Sequence, residues 1–189
     1  MKSLAFLLSV SALVSATLAR IHVGPCPDIS GKIVSVPDLS PFTGKWYEIQ
    51  KFNNFFERGL ECNYAEYSLS SDGTYINVNN TGYNGESYTS QVGKATQPTP
   101  PLGAFIVTFG VNPITPSTPN YNLLALDTSS YALIYSCFDV FNIGGIEYSW
   151  ILSREPTISA SVLESLTGNL TALGVDVSNF VLTDQTNCP

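Results

Sequence analysis

Four cysteines, a single histidine and fifteen carboxylates are the groups in this 189-residue chain best suited to covalent, metal or acid–base chemistry. Their spacing argues against catalysis. His22 has no serine or aspartate beside it to make a triad, and it reads as a solvated residue. Gly-x-Ser-x-Gly, His-Glu-x-x-His, P-loop and Gly-x-Gly-x-x-Gly patterns are absent. The cysteines form no Cys-x-x-Cys, and no His/Cys cluster has metal-ligand spacing. Glu48, Glu66 and Glu147 could pair across a cavity as in glycoside hydrolysis, but any two of fifteen acids can be drawn that way. No catalytic residue and no metal ligand is therefore assigned, and no cofactor is required.

The cysteines point elsewhere. Lys2 is followed by an apolar run from Leu4 to Val14 and then small residues ending Thr17-Leu18-Ala19, the pattern of a secretory signal cleaved after Ala19. The run is too short for a membrane anchor. The expected mature chain, residues 20–189, is one domain long enough to bury a sizeable core, and its expected location is extracellular. In that setting Cys26, Cys62, Cys137 and Cys188 predict two disulfides, each closing a long loop worth about 4 kcal/mol in the chain-entropy model. Three pairings are open on spacing alone. Sequons at Asn79 and Asn169 are candidate glycosylation sites: the first reads as a hairpin tip and is the better candidate, and the second falls within a helix and needs a solvent-facing position. Without Lys2 the chain carries seven basic and fifteen acidic residues, net −8, with no basic cluster, which argues against a nucleic-acid partner.

The elements that must position any site are mostly short strands. An irregular, Pro-rich arm is expected from Arg20 to Pro41. Strand patterns follow at Trp46–Lys51, Cys62–Leu69, Tyr75–Asn80, Glu86–Ala95, Phe105–Phe109, Tyr121–Leu126, Tyr131–Phe138 and Ile146–Leu152, with a Ser71-Asp72-Gly73 turn and a Pro-rich loop from Asn112 to Asn120. Eight strands at hairpin spacing predict a closed antiparallel up-and-down β-barrel. After Pro156 the period changes: Val162, Leu163, Leu166, Leu170 and Leu173 predict one helix packed outside the barrel, with Ser161 and Glu164 as a capping box and Gly174 as its stop.

Aromatic residues are the remaining chemical signal. Gly44-x-Trp46 suggests a tight turn followed by a ring that plugs one barrel end, and Arg154 is placed to lie flat on that indole. Period two puts Tyr148, Trp150 and Leu152 on one face. If that face points inward, it is an apolar wall with polar tips, suited to a planar or elongated ligand; a solid core is the competing reading.

Gly44-Lys45-Trp46-Tyr47-Glu48, Trp150-Ile-Leu-Ser-Arg154, Tyr131-Ala-Leu-Ile-Tyr-Ser-Cys137 and the terminal Leu182-Thr-Asp-Gln-Thr-Asn-Cys-Pro189 together resemble the lipocalins, in particular the apolipoprotein D, bilin-binding and Lazarillo-like group. The match runs from about Cys26 to the end. One departure is Leu126-Asp127-Thr128, where the family usually has Thr-Asp-Tyr. The resemblance implies disulfides Cys26–Cys137 and Cys62–Cys188, barrel closure by Gly44, Trp46 and Arg154, and a pocket faced by Phe42, Tyr67 and Trp150; the alternation adds Tyr148. Loop residues Asn53, Phe55 and Phe56 are placed at the mouth. The implied function is a secreted carrier of a small hydrophobic molecule: a bilin such as biliverdin, a carotenoid or retinoid, a fatty acid or a steroid. A bound chromophore, biliverdin or a carotenoid, would make it a pigment carrier, although only Lys51, Arg58 and Lys94 lie near the mouth to meet a bilin's propionates. An enzyme on the same fold, an isomerase or a lipid-modifying activity, and a protein-binding module without ligand are the alternatives. Membrane or receptor contact and oligomeric state stay open.

Overall fold

A computed structural model of the chain describes residues 20–110, 115–140 and 143–189, with backbone alone for 20–22 and 140. The expected signal segment, residues 112–114 of the Pro-rich loop and the His22 side chain lie outside the described residues.

Ten strands form one antiparallel sheet: β1 (Arg20–Val23), β2 (Gly44–Phe52), β3 (Glu61–Leu69), β4 (Tyr75–Tyr83), β5 (Tyr88–Thr96), β6 (Ala104–Phe109), β7 (Tyr121–Asp127), β8 (Tyr131–Val140), β9 (Gly144–Ser153) and β10 (Phe180–Leu182). Each of β2 to β9 pairs with the next, and β9 pairs back onto β2, so these eight strands close into a ring. Closure leaves no long edge to aggregate. The arm is less irregular than expected. Its first residues, β1, pair with Gly144–Glu147, the half of β9 that β2 does not reach. β10 likewise pairs with Gln50–Phe52, past the point where β3 leaves β2. Both additions hydrogen-bond backbone edges that the ring leaves over.

Among the described residues one α-helix lies outside the ring, α1 (Ala160–Thr171). It starts a little earlier than the sequence reading placed it. Ser159, not Ser161, is the N-cap, and its side chain accepts from the Val162 backbone N–H. Ile158 and Leu163, at the positions that staple a helix start, pack into the same apolar cluster and fix this register. Gly174, at φ +76°, turns the chain away after the last helical turn. The fully buried Leu166 and Leu170 seat α1 on the outer faces of β2, β8 and β9, against Ile49, Phe52, Leu133, Tyr135 and Ile151. The disulfides join Cys26 to Cys137 and Cys62 to Cys188, tying the arm and the tail to the wall.

One end of the ring is plugged. Trp46 is fully buried, and its indole N–H donates to the Phe42 carbonyl at 2.8 Å. The Arg154 guanidinium lies 3.7 Å from the centre of that ring. Its three nitrogens donate to carbonyls of three separate segments: Nε to Thr128 at 2.9 Å, Nη1 to Lys45 at 2.9 Å and Nη2 to Pro41 at 2.8 Å. Gly44, at φ +92°, leaves room for this: a Cβ there would lie 3.3 Å from Nη1 in a backbone conformation that other residues disfavour. The departure at Leu126-Asp127-Thr128 does not disturb the closure, because Arg154 uses only the Thr128 backbone.

Arg154→Lys keeps the charge but cannot reach three carbonyls with one ammonium. We expect it to cost about 2 kcal/mol, read as a lower urea midpoint with unchanged m-value.

Candidate ligand cavity

Above the plug the barrel is hollow. The cavity measures about 710 Å³, within the range of small-molecule sites. Phe42 forms its floor, its ring 5.5 Å from that of Trp46, 5.1 Å from Tyr67 and 6.3 Å from Phe105. Period two on β9 turns Ile146, Tyr148, Trp150 and Leu152 inward, and all four line the cavity. The Tyr148 and Trp150 rings are stacked, 5.9 Å apart and 12° from parallel. Phe56, on the loop after β2, lies 5.7 Å from Tyr148 and 6.4 Å from Trp150, and Phe55 stands 69% exposed beside it at the mouth.

The sequence-derived residues Phe42, Tyr67, Tyr148 and Trp150 thus all line the one cavity, as do Phe55 and Phe56; Asn53 does not line it. Tyr67 reaches across to Tyr121, their hydroxyls 3.2 Å apart. Burial pushes the Tyr67 hydroxyl up to about 12 and that of Tyr121 well above its usual value, so both stay neutral. The first sequon is not at a hairpin tip: Asn79 sits within β4, opposite Val92 and half-buried, because the strand runs on to Tyr83. Asn169 is exposed on α1.

A buried charge cluster was not legible in the sequence. Glu48 and Lys51 are three apart and should point to opposite faces of a strand. A bulge between Glu48 and Gln50 shifts the phase, so Lys51 joins Glu48 on the inner side while Ile49 and Phe52 both face α1. Lys51 Nζ then lies 2.9 Å from Glu48 Oε1 and 3.2 Å from Glu57 Oε2. Asn54, Asn63 and Thr183 donate into the two carboxylates, and the Trp150 indole N–H reaches Glu57 Oε2 at 3.4 Å. Glu57 had carried no signal, since only the fold of its loop brings it beneath Trp150. Of the carboxylates that the sequence offered, Glu66 is exposed and Glu147 is buried facing Tyr135, which donates to it at 2.6 Å. Among the described residues no group of His, Cys, Asp or Glu has the arrangement of a metal site.

Known proteins place this geometry. A lipocalin-like domain model matches residues 37–185. The chain is a lipocalin. It is 34% identical to apolipoprotein D of Mus musculus over 98% of this chain and 96% of that protein, and 36% identical to the outer membrane lipoprotein Blc of Escherichia coli K12 over 93% and 95%. Among solved structures it resembles insecticyanin of the tobacco hornworm Manduca sexta, with a TM-score of 0.73, 26% identity and coverage of 88% and 89%. Lobster apocrustacyanin A1 matches the fold at a TM-score of 0.73 and 23% identity, covering 89% and 93%. The plugged end leaves the mouth beside Phe55 and Phe56 as the way into the cavity.

Burial, then the neighbouring Glu48 charge, holds the Glu57 carboxyl up at about 7, against the opposing pull of Lys51 and the Asn54 hydrogen bond. A carboxyl raised on folding binds its proton more tightly in the folded state. Stability should therefore fall as pH rises from about 4.5 to about 7. Urea midpoints measured across that range should show this decline, and Glu57→Gln should remove it.

Proposed function

We propose that this lipocalin is a secreted carrier that holds one small hydrophobic molecule non-covalently in its barrel. The observation that carries the reading is the cavity of about 710 Å³, plugged at one end and walled by aromatic and aliphatic side chains. A protein-binding module would need no such void, and interiors are otherwise close-packed. A thiol-based isomerase or lipid-modifying enzyme has no free cysteine to use, since all four are in disulfides. Phe42, Tyr67, Tyr148 and Trp150 are the proposed contacts. Apolar burial supplies the affinity at roughly 25 cal/mol per Å², before ordering costs. The stacked Tyr148 and Trp150 rings favour a flat conjugated cargo, so a bound chromophore is one candidate.

Native mass spectrometry and an absorption spectrum of the protein from its own tissue test this. A visible band with a matching added mass identifies a chromophore. A lipid-sized mass without colour identifies lipid carriage. No added mass, and no quenching of Trp150 by hydrophobic probes, refutes the carrier. Val107, half-buried on the cavity wall, offers a further check: Val107→Trp should fill part of the void and weaken any such ligand by about tenfold or more while leaving the fold intact.

The leader and the paired cysteines support cleavage after Ala19 and export. Glycopeptide mapping of protein secreted from eukaryotic cells should find Arg20 as the N-terminus. It should find a glycan on exposed Asn169 in preference to half-buried Asn79.

A further inference from the structure

Polar groups decide which hydrophobic molecule a cavity accepts, and here they are one-sided. Among the described residues the wall presents two carboxylates, Glu48 and Glu57, and no lysine, arginine or histidine. Of the cations near the mouth, Lys51 is buried and held by both carboxylates. Arg58 is exposed. Lys94, expected near the mouth, lies toward the plugged end instead, because β5 runs down from the mouth at Tyr88: it pairs with Asn77, and its ammonium sits 3.8 Å from the ring centre of Tyr75, just after the turn from β3. With both carboxylates ionised, one ammonium between them leaves a net charge of −1 inside the barrel.

The hydrogen bonds point the same way. The side-chain bonds and ion pairs of Glu48 all fall on Oε1 and those of Glu57 on Oε2, which leaves the second oxygen of each without a partner among the described residues. Asn63 is 95% buried in the cavity wall, and its Oδ1 has no hydrogen-bond partner. Its orientation is fixed, because the Nδ2 donates to Glu48 at 2.9 Å and a flipped amide would set oxygen against carboxylate. That oxygen has room only because position 82, also on the cavity wall, is glycine: a Cβ there would collide with it. Asn80 adds a second buried, unpaired Oδ1 on the same wall.

We propose that the cavity selects hydrophobic ligands whose polar end donates a hydrogen bond and carries no negative charge, an alcohol or an amine rather than a carboxylate. The donor meets the carboxylates of Glu48 and Glu57, both of which line the cavity. A carboxylate there meets two like charges, and the one ammonium beside them, Lys51, is already shared between both acids; burying it so is costly. On the same ground a neutral polyene or sterol suits this cavity better than a bilin bearing propionates. This specificity rests on the carrier reading above.

Two matched pairs separate charge from shape: retinol against retinoate, and hexadecanol against palmitate. Binding to the full mature protein is read by tryptophan quenching and native mass spectrometry at about pH 8, above the value of about 7 for Glu57. We expect the alcohol of each pair to bind about tenfold or more tightly than its acid, and Glu57→Gln to narrow that gap by raising acid affinity. Acids binding as tightly as alcohols to the wild-type protein would overturn the specificity and leave the carrier reading standing. Binding of none of the four probes would overturn both. The wild-type comparison decides even if the variant fails to fold.

Discussion

A hollow barrel is stable only if one end is sealed without filling the middle, and a single guanidinium does this here. Three backbone carbonyls, from the segment before β2, from β2 itself and from the turn between β7 and β8, converge on Arg154, whose flat face covers the buried Trp46 ring. These carbonyls lie where the strand ladder has no partner for them, and donors from Arg154 tie them together. A planar fork with five N–H groups can satisfy three of them while keeping an aromatic face covered; an ammonium cannot do both. The seal joins the first and last strands of the ring as well as the far turn, so the closed end is the rigid reference from which the cavity walls rise.

Those walls are supported unevenly. On β8 and β9 both faces are buried along much of their length: Ile134, Trp150 and Leu152 belong to the inner cluster, while Leu133, Tyr135 and Ile151 pack outward under α1. The helix therefore braces the side of the barrel that carries the stacked Tyr148 and Trp150 rings. On the opposite side, β5 is exposed from Tyr88 to Val92 and has no covering layer. One disulfide adds to the braced side, with Cys137 on β8 anchoring the arm; the other, from Cys62 on β3, anchors the tail, whose Pro189 carbonyl accepts from Tyr88 on β5. The aromatic wall is thus set on the part of the molecule with the most buried surface behind it, where interior packing density resists rearrangement.

Much of this was legible in the sequence because it follows from period and from single demanding residues. Alternation placed Tyr148, Trp150 and Leu152 on one face, and the leucine spacing after Pro156 gave α1. Gly44, Trp46 and Arg154 announced the seal through residue types that few other roles require. The resemblance to lipocalins supplied the disulfide pairing, which spacing could not. What was hidden depends on breaks in period. β1 is too short to alternate visibly, and the pairing of β10 with β2, like that of β1 with β9, exists only because ring strands leave edges open to them. Ser161 looked like the cap because the pattern Ser-x-x-Glu is local, whereas the choice of Ser159 is made by Ile158 and Leu163 packing on the barrel. Asn79 looked like a hairpin tip because polar residues cluster there, yet they lie in a continuing strand.

The bulge in β2 hides most and matters most for function. A regular strand would send Lys51 out and Phe52 in. One extra residue reverses both, giving α1 an aromatic contact and giving the barrel interior a buried ammonium. That ammonium would be prohibitively costly alone, and the two carboxylates that flank it make it tolerable. The cluster does not merely neutralise itself: two acids to one base leave acceptors over, and Asn63 is oriented by Glu48 so that its oxygen packs against position 82. Position 82 must then be glycine to leave that oxygen space. A local shift in strand register therefore propagates, through one ion pair and one fixed amide, into the polarity of the whole upper cavity. The apolar walls determine that something hydrophobic enters, whereas the phase of β2 determines which polar end it can bring with it.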